Sequence, residues 1–230
     1  MLAAVVFDFD GVIVDTEPYH HRCFLELLAP FDISMSWEEY LESYIGYDDR
    51  DAFREAFRRS GRHGELDQGL LSRLIQEKSR LFPRLAAEAA VPYPGVVELI
   101  LSLARQVPVA LCSGALRSDI LPVIGRLGIA DSFSVIVTAD DVAASKPDPE
   151  GYRLAVVKLS ERFPLNRIEP GRCCAIEDTP AGIASAKGAG LRVVGVTNSH
   201  PPLHLADADM VVTSLEEITI HDLSGLTEGC

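Results

Sequence analysis

The sequence predicts an α/β protein: a three-layer core of parallel sheet with helices on both faces, into which an all-helical domain is inserted. Three observations carry this prediction. A run of small and β-branched apolar residues, Leu2 through Phe7, opens the chain and stops at Asp8 and Asp10. Residues 16–90 keep a helical pattern, and from residue 91 onward strand-like and helix-like segments alternate. The core is accordingly assigned to residues 1–15 and 91–230, and the helical domain to residues 16–90.

Composition sets the outer limits. At 230 residues the chain is long enough to bury a sizeable core, and 47% hydrophobic with 24% charged residues is ordinary for a folded domain. A net charge of -13 excludes a nucleic-acid footprint, so an anionic substrate needs a local cation or a metal to bind against the overall field. No apolar run approaches the roughly 20 residues that span a bilayer. No basic region precedes the first apolar run, so a secretory leader is not expected. The five cysteines are odd in number and lack metal-ligand spacing. Cys173 and Cys174, adjacent on a strand, point to opposite faces and read as small buried hydrophobes of a reduced cytoplasmic protein.

Taken in order, the first apolar run reads as a buried parallel strand with Asp8 and Asp10 on one side of its C-terminal end, followed at once by Gly11. Two anions this close repel, and a divalent cation would relieve them, leaving one carboxylate as nucleophile and the other to handle protons. A solvated Asp-x-Asp-Gly turn fits the same residues. From Glu17 the pattern turns helical, with Ser36-Trp37-Glu38-Glu39 as a capping box, helical segments at Asp51–Arg59 and Glu65–Phe82, and breaks at Gly46 and residues 61–64. Val91-Pro92-Tyr93-Pro94-Gly95 marks the return to the core. Strands follow over Val107–Cys112, Phe133–Thr138, Cys173–Ile176, Val193–Val196 and Met210–Val212, with helices over Val96–Arg105, Ser118–Leu127, Glu150–Arg162 and Pro180–Ala189. The tail Leu223–Cys230 is short and polar and is expected to fray.

Ligands in such sheets bind at the C-terminal ends of the strands, so the residues standing there matter most. The second strand ends at Ser113-Gly114, a hydroxyl and a close-approach glycine before a helix whose free N–H groups face an anion, although a plain strand-to-helix turn reads the same way. After the third comes Ser145-Lys146-Pro147-Asp148-Pro149, a rigid turn that fixes a lysine able to meet both phosphate and carboxylate. The fourth ends in Glu177-Asp178 ahead of a helix start; these acids either complement the helix dipole or form, with the first pair, a magnesium site.

On DFDGVIVDT with Asp8 and Asp10, LCSG with Ser113, SKPDP with Lys146 and IEDTPAG with Glu177 and Asp178, the chain resembles the haloacid dehalogenase (HAD) superfamily over essentially its full length, and within it the helical-cap phosphatases and β-phosphoglucomutases. The resemblance implies a Rossmann-like core and a mobile helical cap whose closure excludes water. It implies that Asp8 attacks phosphorus to give an aspartyl-phosphate, and that Asp10 protonates the leaving oxygen and then activates water or a second acceptor. Ser113 and Lys146 would hold the phosphoryl oxygens. Mg2+ would be bound by Asp8, the Asp10 carbonyl and Asp178, with Glu177 close by. Gly11 and Gly114 in the core, and Thr16, His20, Arg50 and Lys78 in the cap, are the substrate-binding candidates. His20 matches a cap-hinge position of the mutase group. Arg50, however, stands one position from where the mutase arginine is expected, and Tyr47-Asp48-Asp49 departs from that group's usual run.

The expected activity is therefore magnesium-dependent hydrolysis of a small phosphorylated metabolite, a sugar phosphate or a phosphoglycolate-like ester, by a cytoplasmic protein with no nucleic-acid or membrane partner; the sequence does not fix its oligomeric state, a monomer being favoured. A sugar phosphate mutase of the β-phosphoglucomutase kind is the alternative. A non-catalytic binding module of the same fold is disfavoured because every motif position is intact.

Overall fold

The computed structural model describes residues 1–44, 47 and 49–228; Gly46, expected as a helix break, and Cys230 lie outside them. The chain divides into two compact units, Met1–Asp15 with Val91–Cys230, and Thr16–Ala90. In the first unit β1 (Ala4–Phe7) is buried at every residue, as an apolar run flanked by strands on both sides must be.

The second unit is helical: α1 (Glu17–Leu28), α2 (Trp37–Ser43), α3 (Asp49–Arg59) and α4 (Gln68–Ala89). Ser36 caps α2 by accepting from the Glu39 N–H, at 3.1 Å. Its core is aromatic, built on Phe24, Tyr40, Phe53 and Phe57 with Leu28, Leu71 and Leu74. The last helix does not stop at Phe82. It continues through Pro83 to Ala89, because Leu85 and Ala86 beyond the proline are buried and offset the lost backbone bond.

The first unit resumes with α5 (Val96–Ala104), β2 (Val109–Cys112), α6 (Arg117–Arg126), β3 (Val135–Val137), α7 (Glu150–Arg162), β4 (Cys173–Glu177), α8 (Pro180–Gly188), β5 (Arg192–Val196), β6 (Met210–Val212) and α9 (Ile220–Thr227). All six strands are parallel, in the order β3-β2-β1-β4-β5-β6, a Rossmann-like arrangement. Pro108 lies just outside β2, where its carbonyl still accepts from Val5 N–H at 3.1 Å and its lack of an N–H breaks no ladder bond.

Strand alternation decides which side chains go where. Ala4, Val6, Ala110, Cys112, Cys173, Ala175 and Val193 line one face under Tyr152, Ala155 and Leu159 of α7 and Ile183 and Ala186 of α8. The helices α5 and α9 pack against β2 and β4 respectively. Cys174 therefore faces away from Cys173, its thiol donating to the Leu223 carbonyl of α9 at 3.5 Å.

The terminal segment departs from the frayed tail read from its polarity. Thr219 and Asp222 close a reciprocal cap over α9, and Leu223 is fully buried. Leu223 and Thr227 are buried and Ile220 and Leu226 half-buried, so one face of the helix docks while His221 and Gly225 stay exposed.

Candidate active site

Register builds the site. Phe7 pairs with Leu111 on one side and Ile176 on the other, so the next residue along, Asp8, stands beside Cys112 and Glu177. Its N–H continues the ladder by donating to the Ile176 carbonyl at 3.0 Å. Alternation sends Asp8 and Glu177 to the face that carries α7 and α8. The chain then turns sharply, Ile13 N–H donating to Phe9 carbonyl at 2.8 Å and Gly11 N–H to Val14 carbonyl at 2.9 Å.

Lys146 joins the two carboxylates. Its Nζ lies 2.7 Å from Asp8 Oδ1 and 2.6 Å from Glu177 Oε1. The turn behind it, which contains a cis bond between Lys146 and Pro147, is held by Asp148 N–H donating to Ser145 carbonyl at 3.0 Å and by Ser185 hydroxyl donating to Asp148 carbonyl at 2.6 Å. The Asp148 carboxylate accepts from Glu150 N–H at 2.9 Å, and Pro149 occupies the cap position of α7.

Two glycines make room for the acids. At Gly11 the backbone has φ +72°, and a Cβ there would lie 1.8 Å from Asp178 Oδ2. At Gly182, in the first turn of α8, a Cβ would meet both carboxylate oxygens of Glu177 at 1.9 and 2.2 Å. Glu177, fully buried, also accepts from the Tyr152 hydroxyl at 2.6 Å.

The carboxyl groups of Asp8, Glu177 and Asp178 lie within 4.8 Å of one another, and all three residues are buried. Burial and then the charge of Glu177 push Asp8 well above the usual carboxylate range, against the pull of Lys146. The same two causes push Asp178 up to about 7. Burial works against the Lys146 charge, but Asp8 and Glu177 more than restore it, holding its pKa above that of a free lysine. One lysine thus faces three carboxylates, and Asp178 Oδ1 is buried with no hydrogen-bond partner. A hard divalent cation with oxygen ligands fits such a set: it supplies the missing positive charge and a partner for the orphaned oxygen. The side chain of Asp10, half-buried at the turn, is not part of this three-acid group.

Ser113 is buried, its N–H donating to Val137 carbonyl at 3.0 Å and its hydroxyl accepting from Ala115 N–H at 3.0 Å. With Gly114 and Lys146 it lines a cavity of about 180 Å³ that also includes Thr138, Ser145 and Gly151. Nothing stands within 4 Å of where a Gly114 Cβ would be, so that backbone is open to a ligand.

Of the candidates in the helical unit, His20 and Lys78 meet. Thr16 is buried at the start of α1, its carbonyl accepting from Tyr19 and His20 N–H. His20 Nδ1 lies 3.0 Å from Lys78 Nζ, and its ring stacks on Phe82 with centroids 4.1 Å apart. Lys78 is buried, paired with Asp49, and sits 4.6 Å over the Phe24 ring. Burial and then the lysine charge hold His20 well below the usual imidazole range. Arg50 is exposed on α3.

Sequence reasoning missed Tyr152, Asn198 and Ser199. Asn198 Nδ2 donates to the Gly11 carbonyl at 2.7 Å, and Ser199 hydrogen-bonds Asp178. The signal for the last two was available: they stand just past the C-terminal end of β5, where the rule that picked the other loops applies equally.

The Haloacid dehalogenase-like hydrolase family profile matches residues 5–196. A validoxylamine A 7'-phosphate phosphatase of Streptomyces hygroscopicus subsp. limoneus is 30% identical over 95% of this chain and 96% of its own. A beta-phosphoglucomutase of Bacillus subtilis is 31% identical over 95% of this chain and 92% of its own. Among solved structures, CbbY from Rhodobacter sphaeroides in complex with phosphate superposes with a TM-score of 0.77 at 27% identity, covering 94% of this chain and 96% of that one. With acids and a lysine gathered at the strand ends and this family matched along most of its length, the chain belongs to the haloacid dehalogenase-like hydrolases.

Proposed function

We propose that this protein is a magnesium-dependent phosphatase acting on a small phosphorylated metabolite, a sugar phosphate being the first choice. The observation that carries the reading is the pairing of a buried aspartate with a buried lysine, Asp8 with Lys146 at 2.7 Å, beside an acid cluster whose Asp178 Oδ1 lacks a partner. The first two relatives, one named for a phosphatase and one for a phosphoglucomutase, support phosphorylated carbohydrates as the substrate class.

In this mechanism Asp8 attacks phosphorus in line with the leaving oxygen, forming an aspartyl-phosphate as the P–O ester bond breaks. Asp10 gives its proton to the departing alkoxide, then takes a proton from the water that attacks the aspartyl-phosphate. Inorganic phosphate leaves and Asp8 is regenerated. Lys146 and the Ser113 hydroxyl hold the transferring oxygens. Asp8, Asp178 and the Asp10 carbonyl would hold Mg2+, which supplies charge neutralisation of the phosphoryl group when bound. Glu177, already occupied by Lys146 and Tyr152, stands behind them.

The mutase alternative differs in the fate of the phosphoryl group, which would return to a second hydroxyl of the sugar. Phosphate release from a panel of sugar phosphates, phosphoglycolate, nucleotides and pyrophosphate, with magnesium and with chelator, tests the reading. Magnesium-dependent release from one or a few esters is expected. Silence across the panel, with conversion of β-glucose 1-phosphate to glucose 6-phosphate in the presence of a bisphosphate primer, would replace it by the mutase.

A further inference from the structure

We infer that Tyr152 is a positioning residue of the phosphoryl site, its hydroxyl holding the Glu177 carboxylate on Lys146. The inference deepens the phosphatase reading and rests on it for the purpose given to Lys146. Tyr152 is fully buried on α7, and its hydroxyl and the Lys146 ammonium converge on one atom, Glu177 Oε1, each at 2.6 Å. Among the described residues the other oxygen, Oε2, has only longer contacts, from the Asp178 N–H at 3.3 Å and the Thr179 hydroxyl at 3.4 Å. The lysine ammonium lies 5.5 Å over the Tyr152 ring, so hydroxyl and ring face the same ion pair.

Glu177 has two possible occupations. Its carboxylate lies within 4.8 Å of those of Asp8 and Asp178, near enough to share a cation with them. Alternatively it serves as the counter-ion that holds Lys146 against Asp8. Two short donors on a single oxygen favour the second, and one of them is the tyrosine. A buried hydroxyl has few ways to be satisfied, so Tyr152 fixes the carboxylate as firmly as the carboxylate satisfies Tyr152. The empty volume at Gly182 gives the carboxylate its place, and Tyr152 selects its orientation. Lys146 is then held by two anions, with its remaining N–H left for a phosphoryl oxygen.

The test is Tyr152→Phe in the full chain, which removes one oxygen and keeps the ring. Binding of inorganic phosphate and of Mg2+ is measured separately by calorimetry, alongside kcat and KM on an active ester. Phosphate affinity and kcat are expected to fall by about tenfold or more, with Mg2+ affinity unchanged within twofold or tighter. In a Glu177→Gln background the tyrosine substitution is expected to add nothing, since it acts through that carboxylate. Should Tyr152→Phe fail to fold, Glu177→Gln alone decides, because loss of phosphate binding with Mg2+ binding retained is required. Phosphate affinity within twofold of the unaltered protein, phosphate and Mg2+ affinities falling together, or additivity with Glu177→Gln would each overturn the inference. Phosphate binding that depends on Tyr152 in a protein that hydrolyses no ester would remove the phosphatase reading alone, whereas an unaltered protein that binds no phosphate would remove both.

Discussion

Asp8 and Asp10 are two residues apart in sequence but differ in environment. Asp8 is buried against Lys146 and two acids, whereas Asp10 is half-buried at the turn. Asp10→Asn should leave Mg2+ binding in place, because the carbonyl rather than the side chain is assigned to the metal, yet slow turnover by roughly 10²–10⁴-fold. Calorimetry and steady-state kinetics on the same sample check this; a normal rate would remove the acid–base role. Gly182 offers a second test at the same scale. A methyl group there has no way past the Glu177 carboxylate, which cannot retreat without abandoning Lys146 and Tyr152. Gly182→Ala should lower the melting temperature and turnover together, although alanine in a helix is ordinarily favoured over glycine by about 1 kcal/mol. A more stable and fully active variant would mean that the carboxylate is not clamped.

Elements show what the sequence could and could not carry. The strands were legible because β-branched and small apolar runs such as AVVF and CCAI stand between turn residues, and α7 begins and ends at Glu150 and Arg162 as its pattern implies. The C-terminal helix was not, because reading the tail from Leu223 onward cuts off its cap at Thr219 and its first apolar residue, Ile220, and leaves too few apolar residues to show a period. If Leu223 is its anchor, Leu223→Ala should destabilise the protein by roughly 2–5 kcal/mol, measured by urea denaturation, whereas a frayed tail would lose almost nothing. The loop after β3 carries its own ionic clasp: Asp141 accepts from the Thr138 N–H and hydroxyl, both at 2.9 Å, and from Arg117 at 2.8 Å and Lys158 at 3.2 Å. Partial burial opposes its charge, but these donors hold Asp141 down to about 2 from the ordinary 3.8. A depressed folded-state pKa stabilises above the unfolded value, so this contribution is complete above about pH 4 and disappears as the pH falls toward 2. Asp141→Asn should flatten that part of the acid-unfolding curve; an unchanged curve would mean that the clasp adds no stability.

At the scale of the whole molecule, the core acids and Lys146 were legible because a parallel sheet brings the ends of its strands together: Asp8 and Ser113 directly follow β1 and β2, Glu177 is the last residue of β4, and Lys146 lies in the loop after β3. Tyr152 was not, because a tyrosine among the apolar residues of a helix reads as packing until its hydroxyl is seen on Glu177. The helical unit was legible as helices, but its pairing of His20 and Lys78, 58 positions apart, depends on how α1 and α4 lie together and leaves no mark in a single sequence. Among the described residues no helix is long and apolar enough to cross a membrane.

All of the proposed chemistry passes through one covalent species, so its detection is the most direct test. The protein is mixed with magnesium and its best ester, quenched in acid within one turnover, and treated with borohydride, which reduces an acyl phosphate on aspartate to homoserine. Mass spectrometry of the peptide containing residues 8 and 10 should then find homoserine at position 8 alone, and none in Asp8→Asn. Turnover with no modification at position 8, or with homoserine at position 10, would contradict Asp8 as the nucleophile.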